Sequence, residues 1–505
     1  MPGEVWLVVA FVVIYWELLW PYVVYPLQSW QRGCGRVKTL SSVPFGLPGT
    51  IRVVRNLLAD QIMRRNAERD LGLGHVKTYW LESFFKWMVV TREPENVKAM
   101  LATQFADFSL ASRSASLIPV FGSGIFTQDG SEWKHSRTML RPQFSKEQIS
   151  RLDGTARHTD RLIAQLRARR TVEAQQWFHM LTMDTATEFL FGESTNSLEE
   201  YRTAKSEAGG VSPAAFVESY TYLLKLAVRR IVFNNQRLFT EGWGGARVHL
   251  QRAHAFIDHY VERALATVRA DAVPDNSYVF SYELAKLTDD PQVIRDEIFN
   301  ILIAGRDTTA STLSYAFYYF VKHPELWDRV RADVWQAFPA GSSTEYTFEG
   351  LRRLAYVPLF VKEVLRLSPA VPFNVRTAVR DTKLPKGGGT DQQQPVFVPK
   401  GTSLFYSTYT IHRDPDIFGP TAREFDPDRW LDLKSVAWGY IPFNGGPRIC
   451  LGQQFALAEL YLVICKLAHA FTRIEPGPGF PKELRERQTL TASVGGSGVP
   501  VTFTT

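Results

Sequence analysis

The chain has 505 residues, of which 45% are hydrophobic, and carries a formal net charge of +7. That length and apolar content are enough for a large core. Cys34, Cys450 and Cys465 are its only cysteines and form no C-x-x-C, which excludes a disulfide framework and a zinc finger. No Lys/Arg stripe interleaved with aromatics is present, so nucleic acid is a poor partner.

Residues 5–24, VWLVVAFVVIYWELLWPYVV, are almost wholly apolar and just long enough to span a bilayer. Trp16, Trp20, Tyr22 and Tyr25 have the character of interfacial aromatics. Arg32, Arg36 and Lys38 follow while only Glu4 precedes, which places the body in the cytosol. Glu17 is the costly residue of this segment. There is no basic n-region or small-x-small site, so an anchor is expected over 1–30 rather than a cleaved signal. Residues 31–55, with Val43-Pro-Phe-Gly-Leu-Pro-Gly49, are predicted to be a stiff hinge unable to sustain a helix.

From 56 to 505 one catalytic body is expected, with no linker or repeat dividing it. Between 61 and 286 the apolar spacing is mainly helical. Trp133-Lys-His-Ser-Arg137 puts an indole N–H and a guanidinium at i and i+4 on one face. A long helix is predicted over 289–322, with Pro291 in its first turn and His323-Pro324 ending it. In it, Ile298, Leu302, Gly305 and Thr309 recur at helical spacing, and Asp307-Thr308 pair an acid with a hydroxyl. Such a pair can relay protons through water. Glu363-Val-Leu-Arg366 pairs opposite charges at i and i+3. Strands are predicted at 371–379 and 395–404, with a polar turn between them.

Near the C-terminus stands Phe443-Asn-Gly-Gly-Pro-Arg-Ile-Cys-Leu-Gly452. Gly445 and Gly446 permit a tight turn close to a flat macrocycle, and Gly452 leaves the space past the sulfur clear. The residues after it start a helix, so Cys450 stands where a helix N-terminus favours a thiolate. A thiolate on haem iron favours O–O cleavage. His135, His412, Cys34 and Cys465 are expected to be structural.

These motifs resemble those of the cytochrome P450 family, from about Trp133 to the end of the chain. The likeness is greatest to the fungal hydroxylases of n-alkanes and fatty acids. It rests on Ala304-Gly-Arg-Asp-Thr-Thr-Ala310, the segment 376–389, Val398-Pro-Lys-Gly401 and the run from Trp438 to Phe455. The resemblance implies a mainly α fold with a small β region, holding haem on Cys450. It implies Trp133, Arg137, Arg376 and Arg448 as propionate ligands, Asp307 and Thr308 as proton-delivery residues, and Glu363, Arg366 and Arg429 as a structural cluster. It further implies a membrane-bound enzyme of the endoplasmic reticulum that takes electrons from NADPH through a separate reductase. Such an enzyme would use O2 to hydroxylate an apolar substrate drawn from membrane lipid.

Pocket-lining candidates are Phe121, Ile125, Phe126, Val371, Phe373, Asn374 and Val494. Ser493-Val-Gly-Gly-Ser-Gly498 is unusually rich in glycine. A channel widened there would admit a bulkier secondary metabolite instead. A haem-thiolate isomerase and a haem-binding protein without catalysis are the rivals from other classes. The retained Asp307-Thr308 pair argues against both.

Overall fold

A computed structural model describes residues 15–40, 47–83, 86–200, 208–232, 245–274, 278–339, 346–433 and 436–505. The chain divides into two compact units. The first comprises Met1–Ala111, Pro372–Arg423 and Ser435–Ile449, and the second Ser112–Val371, Glu424–Lys434 and Cys450–Thr505.

The first unit is organised by a six-stranded sheet. In spatial order its strands are Lys38–Leu40, Thr78–Ser83, Lys86–Thr91, Ser403–Tyr406, Asn374–Ala378 and Phe108–Ser109. Lys86–Thr91 runs parallel to Ser403–Tyr406, while Asn374–Ala378 is antiparallel to it. Trp80, Val89, Leu404 and Tyr406 are buried with Tyr25, Phe397 and Ile411 in one apolar cluster.

Four expectations need correcting in this unit. Thr78–Ser83 and Lys86–Thr91 are strands where helix was predicted. Neighbours Tyr79 and Trp80 are both buried, and so are Val89 and Val90, so neither strand shows the alternation that betrays a half-buried one. The strand expected over 395–404 is two: Gln394–Val398, which pairs with Thr382–Gly388, a strand not foreseen, and Ser403–Tyr406, which pairs with Asn374–Ala378. Leu47–Leu58 is helical, although the hinge was expected to reach residue 55. Pro48 lies in its first turn, where a backbone N–H has no intrahelical partner to lose.

The segment expected to anchor the chain lies partly outside the described residues. Its described part is helical over Tyr15–Val24 and Tyr25–Gln31. No helix among the described residues is long and apolar enough to cross a membrane.

The second unit is mainly helical. Its longer helices are α1 Gly130–Leu140, α2 Asp153–Arg169, α3 Ala174–Phe191, α4 Pro213–Val232, α5 Ala246–Arg269, α6 Pro291–Lys322, α7 Pro324–Ala337, α8 Val357–Leu367 and α9 Gln453–Ala470. α6 is its centre and is buried along most of its length. It starts where the sequence says it should. Asp290 accepts the N–H groups of Gln292 and Val293, and Pro291 takes the first turn. Phe317 packs on Phe178 of α3, with ring centroids 4.9 Å apart, and Phe320 stacks on Phe360 of α8 at 4.1 Å.

α8 carries a buried ionic cluster. Glu363 receives Nε and Nη2 of Arg366 at 2.8 and 2.7 Å, Nε of Arg429 at 2.9 Å and the Trp430 indole N–H at 3.0 Å. The backbone N–H of Asp426 completes it at 2.9 Å. A fully buried carboxylate with this many donors is compensated; with fewer it would not be.

Candidate active site

The cysteine loop belongs to both units. Residues up to Ile449 lie in the first, and Cys450 begins the last segment of the second. In the first unit Asn444 and Gly446 take positive φ, 64° and 67°. Asn444 accepts the Tyr406 hydroxyl at 2.9 Å. A Cβ on Gly446 would meet the Leu101 carbonyl oxygen at 1.8 Å, and one on Gly445 the Trp438 ring at 2.5 Å. Both glycines are therefore required by protein packed against the loop.

Cys450 lies two residues before Gly452, the N-cap of α9. A Cβ on Gly452 would only touch Phe144 at 3.5 Å. Burial pushes the Cys450 thiol up, while the Gly452 N–H and the charge of Arg137 pull it down. The side chain is nevertheless accessible. A sulfur that is reachable, given a backbone N–H and opposed by a cation, fits a metal-bound thiolate.

Trp133 is buried on α1 and Arg137 follows one turn later, its guanidinium 5.8 Å from the Trp133 ring centroid. In the first unit Arg376 is buried, donates to the Val375 carbonyl at 2.9 Å and lies 5.9 Å from the Tyr406 ring. Arg448, also in that unit, stands 6.0 Å from the Phe105 ring. His412 accepts the Ile441 N–H at 2.9 Å through Nε2, the structural role expected of it.

On α6 the residues around Asp307 do more than the motif suggests. The Thr308 hydroxyl donates back to the Ala304 carbonyl at 2.7 Å. Asp307 Oδ2 accepts the Tyr220 hydroxyl of α4 at 2.9 Å, and Oδ1 accepts Arg306 Nη1 at 2.7 Å. His179 of α3 brings Nδ1 to 3.6 Å from the same oxygen. Burial holds the His179 imidazole down at about 4, with Arg306 adding to this and Asp307 opposing it. The Tyr220 hydroxyl is pushed well above its ordinary value, first by burial and then by Asp307.

Gly305 has no polar neighbour to avoid; its Cβ would meet only Ala186 of α3 at 4.0 Å. Ile298, Leu302 and Thr309, grouped with it from the sequence, are buried. The half-buried positions in this stretch include Ala304, Gly305 and Thr308. Thr309 instead serves a buried carboxyl: Glu459 of α9 accepts from the Thr185 and Thr309 hydroxyls, and burial raises its value to about 7. Sequence reasoning missed Tyr220, His179 and Glu459. They come from three other helices, and no spacing joins them to the Asp307 motif. Arg306, next to Asp307, was readable.

Among the pocket candidates of the second unit, Phe121, Ile125 and Val494 are buried, and Phe126 and Val371 half-buried. Phe121 meets Phe299 of α6 edge-on at 5.4 Å. Phe373 and Asn374, in the first unit, are half-buried, with Phe373 5.2 Å from Phe405. Val494 is pinned through its backbone, since Gln175 accepts its N–H at 2.9 Å and donates to its carbonyl at 3.0 Å. The glycine-rich turn beyond it has a packing cause. Gly498 has φ of 72°, and a Cβ there would strike the Glu173 carboxylate at 2.2 Å.

The model of the Cytochrome P450 family matches residues 58–495. Cytochrome P450 52-N1 of Starmerella bombicola is 48% identical, with 97% of each chain covered. Cytochrome P450 52E1 of Candida apicola is 41% identical over 92% of this chain and 91% of its own. Cytochrome P450 52A3-B of Candida maltosa is 40% identical over 85% and 84%.

Proposed function

The chain belongs to the cytochrome P450 family and is a haem-thiolate monooxygenase of the fungal P450 52 group; from that premise we propose that it hydroxylates a long apolar chain, a fatty acid or n-alkane, at or near its end. The observation that carries this reading is the similarity to P450 52 proteins over nearly the full length, together with the four segments that resemble the alkane and fatty-acid hydroxylases. The NADPH reductase is a separate partner in this reading. When bound, haem supplies O2 activation and transfer of one oxygen atom to a C–H bond.

The chain's own residues hold that group and manage protons and substrate. Cys450, presented by the turn before α9, would hold the haem iron through its thiolate. Trp133, Arg137, Arg376 and Arg448 would bind the two propionates, which charge-assisted donors suit. Thr308 and Asp307 deliver protons. The hydroxyl of Thr308 has its donor on Ala304, which leaves its lone pairs for water. Phe121, Ile125, Phe126, Val371, Phe373, Asn374 and Val494 line the apolar site.

Residues 1–30 act as the anchor in the endoplasmic reticulum membrane, with the body in the cytosol. This is supported by the apolar run at 5–24, in which Tyr22 and Val23 are exposed, and by exposed Leu27 and Trp30 beyond it. An apolar substrate partitions into the same membrane.

Spectral titration with fatty acids of about 10 to about 18 carbons tests the substrate class, because each buried CH2 contributes about 0.8 kcal/mol. Affinity is expected to rise with length until the site is full. No spin shift at any length, with a clear shift from a polycyclic ligand, sinks the chain-hydroxylase reading and leaves the monooxygenase standing.

A further inference from the structure

The turn Gly122–Thr127 is held by side chains alone at four successive N–H groups. Ser123 donates to Asp296 Oδ2 at 2.9 Å, Ile125 to Glu297 Oε2 at 3.2 Å and Phe126 to Asn300 Oδ1 at 3.1 Å. Gly124 donates to the Thr127 hydroxyl oxygen at 2.8 Å. Asn300 also donates to the Phe121 carbonyl at 3.1 Å and to the Asp296 carbonyl at 2.8 Å. Asp296, Glu297 and Asn300 stand at i, i+1 and i+4 on α6, so they present one face to the turn.

The turn's composition answers that face. Gly122 has φ of 70°, and a Cβ there would lie 2.1 Å from the Asp296 carboxyl carbon. A Cβ on Gly124 would lie 2.7 Å from the Asn300 amide. Two glycines therefore let the backbone close onto an acid, an acid and an amide. Phe121, Ile125 and Phe126 are carried by this clamped backbone. The Gly-Ser-Gly sequence is otherwise a flexible one.

We propose that Asn300, with Asp296 and Glu297 beside it, is a positioning residue that sets which apolar ligands the enzyme accepts, by fixing the turn that bears Phe121, Ile125 and Phe126. The inference rests on the reading of those three residues as pocket-lining. Asn300 bridges both ends of the turn, from the Phe121 carbonyl to the Phe126 N–H. Loss of it releases the backbone at Phe121 and Phe126, the two ends of the turn, and leaves only the ties at Ser123, Gly124 and Ile125. The site then accommodates more shapes and grips each less well.

The test uses the holoenzyme and a series of n-alkylimidazoles, which ligate haem iron whatever the natural substrate. Asn300→Ala attacks the clamp from the helix and Gly124→Ala from the turn, so failure of one to fold leaves the other. Asp296→Asn retains an acceptor oxygen for Ser123. In both alanine variants amide exchange of 121–127 rises, and the longest alkylimidazoles bind at least about tenfold more weakly while the shortest is unaffected. Asp296→Asn keeps the length profile of the parent. Folded alanine variants with parental exchange and parental length dependence overturn the proposal. If fatty acids give no spin shift in the parent while the alkylimidazole profile changes as expected, the substrate reading fails and this inference survives.

Discussion

Asp307 has both carboxylate oxygens engaged, one by Tyr220 and one by Arg306. The part proposed for it in proton delivery therefore depends on its neighbours. Thr308→Ala is expected to uncouple turnover, with NADPH consumption continuing, free hydrogen peroxide rising and product falling. Unchanged coupling would mean that the Thr308 hydroxyl only packs the helix. Tyr220→Phe removes one donor from a buried carboxylate and should lower stability by ~1–3 kcal/mol in denaturant titration. A second titratable consequence concerns Glu459, whose value is raised from 4.5 to about 7 by burial. The folded state keeps this proton after the unfolded state has lost it. Stability at this site therefore falls as pH rises from about 4.5 towards about 7, by up to about 3 kcal/mol. Glu459→Gln should flatten that fall in melting temperature measured against pH. A slope equal to the parent's removes Glu459 as its source. Nothing in the sequence marked Glu459, because its partners Thr185 and Thr309 are far from it in the chain.

At the scale of elements, the signals that were legible were local ones. Asp290-Pro291 and His323-Pro324 bound α6 because capping and proline chemistry act over a few residues. The Glu363–Arg366 pair was legible at i and i+3, while Arg429 came only from the family resemblance. The indole of Trp430 and the Asp426 N–H could not be foreseen, since they depend on how a distant loop folds over α8. The same holds for the strands at 78–91, whose burial on both faces erases the alternating pattern. Glu363→Ala should cost about 3–5 kcal/mol, because it leaves two buried guanidinium groups without their carboxylate. The reduced carbonyl spectrum of the variant, compared with the parent at equal protein, reads the loss of correctly held haem. A full-strength thiolate band at parental melting temperature would show the cluster to be dispensable. The cysteine loop is the converse case. Its identity was plain from the sequence, but the reason for Gly446 was not. Gly446→Ala forces a side chain into the Leu101 carbonyl at positive φ and is expected to abolish the thiolate band even though Cys450 is untouched.

For the molecule as a whole, the mainly helical class of the fold, with its smaller β part, was legible. Deleting residues 1–30 should move much of the protein from membranes to a salt-extractable or soluble fraction. A truncated protein that stays wholly in membranes at high salt would place the attachment elsewhere.

Both units are assembled from separated stretches of chain, and the last crossing from one to the other falls between Ile449 and Cys450. The strand Lys86–Thr91 has to wait for its parallel neighbour Ser403–Tyr406. During synthesis the six-stranded sheet therefore stays incomplete until Ser403–Tyr406 has been made, and Cys450 emerges later still. Capture of haem through Cys450, as proposed above, then has to follow both. Until that point the apolar strands of the first sheet stand with an open edge, which is the condition in which chains aggregate. A cell short of haem should lose this protein first as insoluble nascent chains, before any mature enzyme is seen to unfold.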